Sequence, residues 1–268
     1  MNLQNKNVLI TGASGGIGQA LSLQLAEAGA FLWLVGRNRE ALEKLYAQLP
    51  HRERHKVILM NRYSDEEIYH LAESFQAGVR LDVLINNAGS SCFALFDKQS
   101  FSDIREQIHT NVELPMLLTR ALCKQFREGG VILNIGSVLG EIGHPGYSVY
   151  SATKASIHRF SEALGREVAP LGLSVLYVAP RATSTRLNSD AAYAMNNALG
   201  NRCDTPETVA RHVIAALEQN TLRSRIGLAE RLFVKINALF PSIVDRALSK
   251  KLPTIMRHLR SPVKGSLK

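Results

Sequence analysis

The segment from residue 7 to residue 28 restricts the fold of this chain more than any other part of the sequence. Residues 7–11 are mostly apolar and partly β-branched, which predicts a buried strand. A glycine-rich turn, Gly12-Ala-Ser-Gly-Gly-Ile-Gly18, leads into an amphipathic helix that ends near Gly29. A strand, a glycine turn and a helix in this order direct backbone N–H groups and the positive end of a helix toward a phosphate. The spacing Thr-Gly-x-x-x-Gly-x-Gly differs from the usual dinucleotide fingerprint, so a tight turn without a ligand is the alternative.

The rest of the chain alternates between strand and helix patterns. Further short apolar segments are candidate strands, at residues 31–35, 56–60, 81–85, 131–135, 174–179 and 224–228. Helical patterns separate them, as expected for parallel strands joined by crossover helices. The length of 268 residues suits one large α/β domain. We therefore predict a single-domain, doubly wound parallel sheet of the Rossmann type over residues 1–228, followed by a C-terminal amphipathic helical extension over residues 229–268.

The end of the second predicted strand bears on the choice of cofactor. An enzyme that prefers NAD usually places an acidic residue here to accept a hydrogen bond from the ribose 2′-hydroxyl. This chain reads Gly36-Arg37-Asn38-Arg39 and has no acid. The planar cation of Arg37 suits a 2′-phosphate, with Arg39 as a second cation nearby, which favours NADP(H) over NAD(H). A solvated arginine that begins a helix is the alternative interpretation.

Tyr150 and Lys154 are the strongest candidates for chemistry. They stand four residues apart, so they share one face of a helix. A free tyrosine has a pKa near 10, and a fixed ammonium beside it is expected to lower that pKa. Such a pair can pass a proton to or from a substrate oxygen. The same spacing is common on solvated helix faces, so the pair alone is weak evidence.

Polar and small residues follow several other predicted strands, where open α/β sheets build their sites. The fourth strand leads into Asn86-Asn87-Ala88-Gly89, the fifth into Ser137, and the sixth into residues 180–185. Residues 186–205 are polar and small and predict a flap with a short helix that closes over a substrate.

Residues 102–127 predict one long helix with Asn111 near its middle. Pro115 lacks an N–H group, so the backbone carbonyl of Asn111 is left without its helical partner. A bound water at that carbonyl and a surface kink without function are the two interpretations.

Taken together, these motifs resemble those of the classical short-chain dehydrogenases/reductases over residues 5–230. The resemblance implies a Rossmann-type domain, a nicotinamide cofactor, a homodimer or homotetramer, and a catalytic tetrad of Asn111, Ser137, Tyr150 and Lys154. It implies that Ser137 donates to the substrate carbonyl, that Tyr150 transfers the proton, and that Lys154 holds the nicotinamide ribose. It also implies a water anchored at the carbonyl of Asn111. The cofactor-binding residues would be Gly12, Ser14, Gly16, Ile17, Gly18, Arg37, Asn87, Ala88, Gly89, Tyr150, Lys154, Pro180, Thr183 and Thr185.

The sequence departs from the family pattern at three positions. Arg181 stands where a glycine is common, which places a cation near the substrate mouth. Asn61 replaces an aspartate expected near the adenine, and Gly15 replaces a basic residue found in many NADP-preferring relatives. Tyr147 has no lysine four residues later, so we expect it to line the substrate pocket instead.

The basic charge of the chain is concentrated at its C-terminal end. Residues 222–268 contain eleven Lys or Arg and only two acidic residues, which accounts for the whole net charge of +9. Apolar residues from Leu228 to Leu248 recur at helical spacing, and Pro241 and Pro253 are expected to divide the segment into short helices. The segment either packs on the domain, as a pocket cover or dimer contact, or lies on an anionic membrane surface. Nucleic-acid binding has only the charge in its favour.

We therefore expect an NADP(H)-dependent oxidoreductase that reduces a small-molecule ketone or aldehyde, lipid-like if the membrane interpretation holds, to its alcohol. A non-catalytic NADP(H)-binding sensor or scaffold is the alternative, and an epimerase or dehydratase fits the chain length and glycine spacing less well. We expect no metal site, because the three cysteines are never closely paired. The early first strand, the cysteine usage and the lack of a long apolar run predict a cytoplasmic protein without a secretory signal, peripheral to the membrane at most.

Overall fold

A seven-stranded, entirely parallel sheet forms the centre of the protein, seen here in a computed structural model that describes residues 1–75 and 78–260. The strands are β1 (Asn7–Thr11), β2 (Phe31–Gly36), β3 (Lys56–Leu59), β4 (Leu81–Asn86), β5 (Phe126–Ile135), β6 (Ser174–Ala179) and β7 (Arg223–Arg225), in the spatial order β3-β2-β1-β4-β5-β6-β7. The order reverses between β1 and β4, and this reversal opens a crevice at the carboxyl ends of the strands. The predicted doubly wound Rossmann-type sheet is confirmed.

Helices cover both faces of the sheet. They are α1 (Gly16–Glu27), α2 (Arg39–Gln48), α3 (Asp65–Glu73), α4 (Phe101–Ile108), α5 (Leu114–Leu122), α6 (Ser148–Val168), α7 (Asp190–Ala198), α8 (Pro206–Gln219), α9 (Leu228–Leu239) and α10 (Pro241–Arg260). Alternate strand residues enter two separate cores: Val8 and Ile10 of β1 pack on one face of the sheet, and Leu9 packs on the other. Because side chains alternate along a strand, burial on both faces explains why the strands are continuously apolar.

The glycine turn after β1 lies close to the backbone that follows the neighbouring strand β4. Gly12 has a φ of +62°, and a Cβ there would lie 2.8 Å from the Cα of Ala88. A Cβ on Gly18 would lie 2.1 Å from the carbonyl oxygen of Gly12. Both positions therefore require glycine, and the tight turn brings the first residues of α1 to the edge of the crevice.

The predicted long helix over residues 102–127 is interrupted. It consists of α4, a π-helical segment (His109–Glu113) and α5, and ends in a short 3₁₀ turn (Cys123–Gln125). Pro115 cannot donate to the carbonyl of Asn111, which lies in the wider turn. The predicted loss of a regular helical bond at Asn111 is thus accompanied by a change of helix type, which we did not predict.

The C-terminal helices pack on the domain with one face each. Val234 of α9 and Val244 of α10 are buried in a small core with Val138 and Ile142, which follow β5. Ile255 of α10 is completely buried beside α7. The prediction that Pro253 ends a helix is wrong: α10 continues through it. Pro253 and Ser249, whose carbonyl loses its partner, are both exposed, so water can satisfy that carbonyl.

Candidate active site

One cavity of about 1170 Å³ occupies the crevice at the carboxyl edge of the sheet. Every residue predicted from the sequence to bind the cofactor contributes to its wall, and so do Ser137, Tyr150 and Lys154. Asn111 is buried immediately behind this wall. The fold therefore assembles residues from β1, β2, β4, β5, α6 and the segment after β6 around a single space.

Ser137, Tyr150 and Lys154 meet near the middle of this cavity. The Tyr150 hydroxyl interacts with the Ser137 side chain, whose oxygen also accepts from the backbone N–H of Leu139 at 3.1 Å. The ammonium of Lys154 is buried, donates to the carbonyl of Ile135 at 2.9 Å, and lies 5.8 Å from the centre of the Tyr150 ring. Ser137 sits at the end of β5, whereas Tyr150 and Lys154 project from the first turns of α6. The arrangement places a hydroxyl donor, a phenol and a cation within one small region.

Burial controls the protonation of this group. Burial raises the pKa of Tyr150 to about 12, although the hydrogen bond from Ser137 acts in the opposite direction. Burial lowers the pKa of Lys154 to about 8. The predicted lowering of the tyrosine pKa by Lys154 is therefore not found in this arrangement. The lysine directs its ammonium toward the carbonyl of Ile135, and desolvation of the phenolate is the larger effect.

Asn111 connects this group to the neighbouring loop through its side chain. Its amide nitrogen donates to the carbonyl of Ser90 at 2.8 Å and to the hydroxyl of Thr153 at 3.0 Å, and its amide oxygen accepts from the backbone N–H of Ser90 at 2.8 Å. Thr153 in turn donates to the carbonyl of Tyr150. Asn111 thus positions α6 relative to the loop after β4, a role for its side chain that the sequence did not suggest.

Asn87 and Thr11 hold the glycine turn against β4. The Asn87 amide donates to the carbonyls of Thr11 and Gly12 at 3.0 and 3.1 Å. The Thr11 hydroxyl accepts from the backbone N–H groups of Asn87 and Ala88, both at 3.0 Å. The Asn87 amide thus binds the backbone at the end of the neighbouring strand β1, and the same residue lines the cavity.

The shape of the cavity fits a nicotinamide dinucleotide. The N-terminus of α1 begins at Gly16, where an added Cβ would lie 2.7 Å from the Thr185 side chain, so a larger residue would clash with Thr185. At the other end, an added Cβ on Gly89 would lie 3.5 Å from the Asn111 side chain and 3.9 Å from the Lys154 ammonium. Glycine therefore permits the close contact with Thr185 at the start of α1 and leaves space beside the tyrosine–lysine pair.

Arg37 lines the opposite end of the cavity, but it already has a partner. Its guanidinium lies 2.5 Å from a carboxylate oxygen of Glu106 on α4 and 5.8 Å from the centre of the Tyr63 ring. Arg39 faces Glu43 on its own helix at 3.6 Å. Nothing in the local sequence predicts Glu106, because it reaches Arg37 from an element 69 residues further along the chain.

Arg181 forms a junction between three segments. Its guanidinium makes two hydrogen bonds to the carboxylate of Asp204, at 2.7 and 2.9 Å, and approaches Glu230 of α9 at 3.4 Å. It lines the cavity as predicted, but its charge is balanced by these two acids. The pair with Asp204 closes the base of the segment that carries α7, and the contact with Glu230 attaches α9 to the end of β6.

The C-terminal helices complete the wall on the side of Tyr150. Tyr147 is buried, with its ring centre 6.0 Å from that of Tyr150, and it lines the cavity as predicted. Phe233 of α9, Leu248 and Lys251 of α10, and Met195 of α7 line the same part. This agrees with the interpretation of the C-terminal segment as a pocket cover.

A doubly wound sheet with a nucleotide-sized cavity at its point of reversal is characteristic of the Rossmann class of dinucleotide-binding proteins. A family model described as short chain dehydrogenase matches residues 6–196. Carbonyl reductase family member 4 from Danio rerio is 32% identical over 226 residues, which cover 83% of this chain and 95% of that protein.

Two solved structures extend the comparison. A short-chain dehydrogenase from Streptomyces avermitilis has a TM-score of 0.76 and 30% identity, covering 95% of this chain and 98% of its own. A short chain dehydrogenase from Burkholderia cenocepacia, crystallised in complex with NADP, has a TM-score of 0.75 and 26% identity, covering 84% and 96%. The chain belongs to the short-chain dehydrogenase/reductase family. It is an NAD(P)-dependent oxidoreductase, as the sequence predicted.

Proposed function

We propose that this enzyme uses NADPH to reduce the carbonyl of an apolar ketone or aldehyde to an alcohol. The observation that carries the proposal is that Ser137, Tyr150 and the buried Lys154 meet in one cavity, whose other end is formed by the glycine turn after β1. The bound cofactor supplies the hydride, and the protein supplies the orientation and the proton.

The two hydroxyl groups have distinct tasks. Ser137 donates a hydrogen bond to the substrate oxygen and stabilises the negative charge that develops there. Tyr150 gives that oxygen its proton, and a pKa of about 12 keeps the phenol protonated at neutral pH. Lys154 holds a positive charge below pH 8 and limits the charge change when the phenol gives up its proton.

The preference for NADP(H) rests on Arg37. A guanidinium at the end of β2 is suited to a 2′-phosphate, and no acid occupies that strand end. The similar protein from Burkholderia cenocepacia was crystallised with NADP, which agrees with this assignment. The reductive direction follows from the same preference, since cellular NADPH pools usually drive reductions.

The walls near Tyr150 favour an apolar substrate. Ile142, Tyr147, Met195, Phe233 and Leu248 surround the space beyond the phenol. A chain or ring of hydrocarbon gains free energy when it leaves water for such a surface. The name of the similar Danio rerio protein, carbonyl reductase family member 4, agrees with a carbonyl substrate.

The exposed face of α9 supports a contact with an anionic membrane surface. Leu228, Leu232 and Leu239 are 82%, 60% and 72% exposed and lie within about 40° of one another around the helix. Lys235 lies on the same face. No helix in the described part of the chain is long and apolar enough to cross a membrane. We therefore propose a cytoplasmic enzyme that contacts the membrane peripherally.

A second copy on the same face would bring two basic surfaces together, which disfavours it as a dimer contact. The homodimer or homotetramer implied by the family remains a prediction for other surfaces.

Replacing Tyr150 with Phe tests the catalytic assignment against a non-catalytic NADP(H)-binding protein. We expect the turnover of NADPH with a panel of ketones and aldehydes of increasing chain length to fall by at least about 10³-fold. The affinity for NADPH, measured by fluorescence titration, should change by less than about 3-fold, because all the other predicted cofactor-binding residues are unchanged.

A wild-type protein that binds NADPH but turns over none of the panel, even at saturating substrate, would favour the sensor or scaffold alternative. Tyr147→Phe is the matched control, since Tyr147 lines the same cavity without contacting Ser137 in the structure. It should retain turnover within about 10-fold.

A further inference from the structure

At the end of the cavity where the adenosine is proposed to bind, the cationic side chains are paired with carboxylates. Arg37 and Lys44 line it, and each faces a carboxylate, Glu106 at 2.5 Å and Glu40 at 2.7 Å, respectively; Arg39, close by in the chain, faces Glu43 at 3.6 Å. The last two pairs lie within α2, at the ordinary spacing of four residues. Glu106 differs because it comes from α4. This helix follows β4, whereas Arg37 follows β2, and the two strands lie on either side of β1.

The carboxylate of Glu106 is held in position from two directions. The same oxygen that faces Arg37 also accepts from the hydroxyl of Thr110 at 3.1 Å. The guanidinium of Arg37 is confined in turn by the ring of the buried Tyr63. Both partners are about half exposed, and Arg37 and Thr110 line the cavity, so a ligand there can reach the guanidinium and compete with Glu106 for it.

The two nicotinamide cofactors would meet this pair differently. A 2′-phosphate needs the guanidinium and must either displace Glu106 or bind beside its negative charge. A 2′-hydroxyl can donate a hydrogen bond to the carboxylate and leaves the ion pair intact. The Glu106 carboxylate thus repels the 2′-phosphate of NADP(H) and accepts a hydrogen bond from the 2′-hydroxyl of NAD(H).

We propose that Glu106 sets the cofactor preference of this enzyme by competing with the 2′-phosphate for Arg37. The inference rests on the proposed use of NADPH and deepens it. Arg37 favours NADP(H), Glu106 reduces that preference, and the wild-type enzyme binds NADH as well as NADPH. The acid that is missing from the end of β2 is supplied by α4.

The test is a titration of NADPH and NADH, followed by cofactor fluorescence, on wild type, Glu106→Gln, Arg37→Gln and the double variant. Glu106→Gln should tighten NADPH about 5- to 10-fold and weaken NADH about 2-fold, as expected for a half-exposed charge pair. Arg37→Gln should weaken NADPH at least about 10-fold and leave NADH nearly unchanged. In the Arg37→Gln background the gain from Glu106→Gln should fall below about 2-fold, because the competition has been removed.

Glu43→Gln is the matched control, since it removes an equal charge from a carboxylate that faces Arg39 instead of Arg37. An equal tightening of NADPH by Glu43→Gln would mean that general repulsion, not competition, is responsible, and would overturn the inference. An undiminished gain in the double variant would overturn it as well. Failure of the wild-type protein to bind either cofactor would instead contradict the proposed function, so the two outcomes are distinguishable.

Discussion

The domain body (residues 1–221) and the described part of the C-terminal helical region (residues 222–260) differ sharply in surface composition. In the part of the chain that the structure describes, each has seven exposed large apolar side chains, although the helical region has only 39 residues. The body contains equal numbers of acidic and basic residues, whereas the helical region has nine Lys or Arg and two acids. Among the described residues, Lys235, Arg246, Lys250 and Lys251 form no ion pair.

The difference indicates that the two regions have different functions. Most of the body's apolar residues enter the two sheet cores, and its polar residues hold the glycine turn and the Ser137–Tyr150 pair. The inner faces of α9 and α10 close the substrate side of the cavity, and their outer faces stay exposed. The chemistry should therefore depend on the body, and substrate choice and docking should depend on the helical region.

The largest effect is expected in the body, from Lys154→Met. Turnover should fall by about 10²- to 10⁴-fold, because the charge that assists proton transfer is removed. The free energy of unfolding, in contrast, should increase. At pH 7 the variant should be more stable than wild type by about 1–2 kcal/mol, since a buried ammonium is replaced by an apolar side chain of similar length.

The pH dependence of this difference follows from the pKa of Lys154, which is about 8 in the folded protein against 10.5 for the free side chain. Between these values the unfolded chain binds more protons than the folded protein, so wild-type stability rises with pH. The advantage of Lys154→Met should therefore shrink from pH 8 to 10.5 in urea unfolding experiments. A constant difference over that range would show that the ammonium is not desolvated as described.

The second effect concerns the outer face of α9. The double variant Leu232→Glu/Leu239→Glu should weaken sedimentation with vesicles containing anionic phosphatidylserine by at least about 30-fold, because two apolar contacts are replaced by charges that the lipid repels. Turnover of a small water-soluble substrate should stay the same.

Leu171→Glu is the control for this experiment, since Leu171 is 65% exposed on the domain body. It should bind vesicles like wild type. Equal binding by wild type and the double variant would remove the proposed membrane contact and leave the enzyme assignment untouched.

The smallest effect is expected at the inner face of α9, which lines the cavity. Phe233→Ala should raise the KM for a long-chain ketone or aldehyde about 5- to 10-fold and leave a short-chain substrate unaffected, because only the longer chain reaches α9. Leu228→Ala, at an exposed position outside the cavity wall, is the matched control. The same change for short and long substrates would show that the helical region does not contact the substrate.

Much of the fold and of the site could be predicted from the sequence because the determining signals are local. The continuous apolar strands, the glycine turn and the four-residue step from Tyr150 to Lys154 each reflect backbone geometry over a few residues. Pro253 shows the limit of such signals: a proline weakens a helix, but packing of Ile255 against α7 keeps α10 continuous.

The sequence by itself determined the order of the strands and helices and the position of the glycine turn after β1. It also identified the candidate catalytic tetrad of Asn111, Ser137, Tyr150 and Lys154. The tertiary structure alone decided that Glu106 faces Arg37, that Arg181 joins Asp204 to Glu230, and that burial outweighs the nearby ammonium in setting the Tyr150 pKa. The physical reason is one of distance along the chain. Periodicity and turn chemistry act between neighbours, whereas charge pairing and desolvation depend on which remote side chains the packed helices bring together.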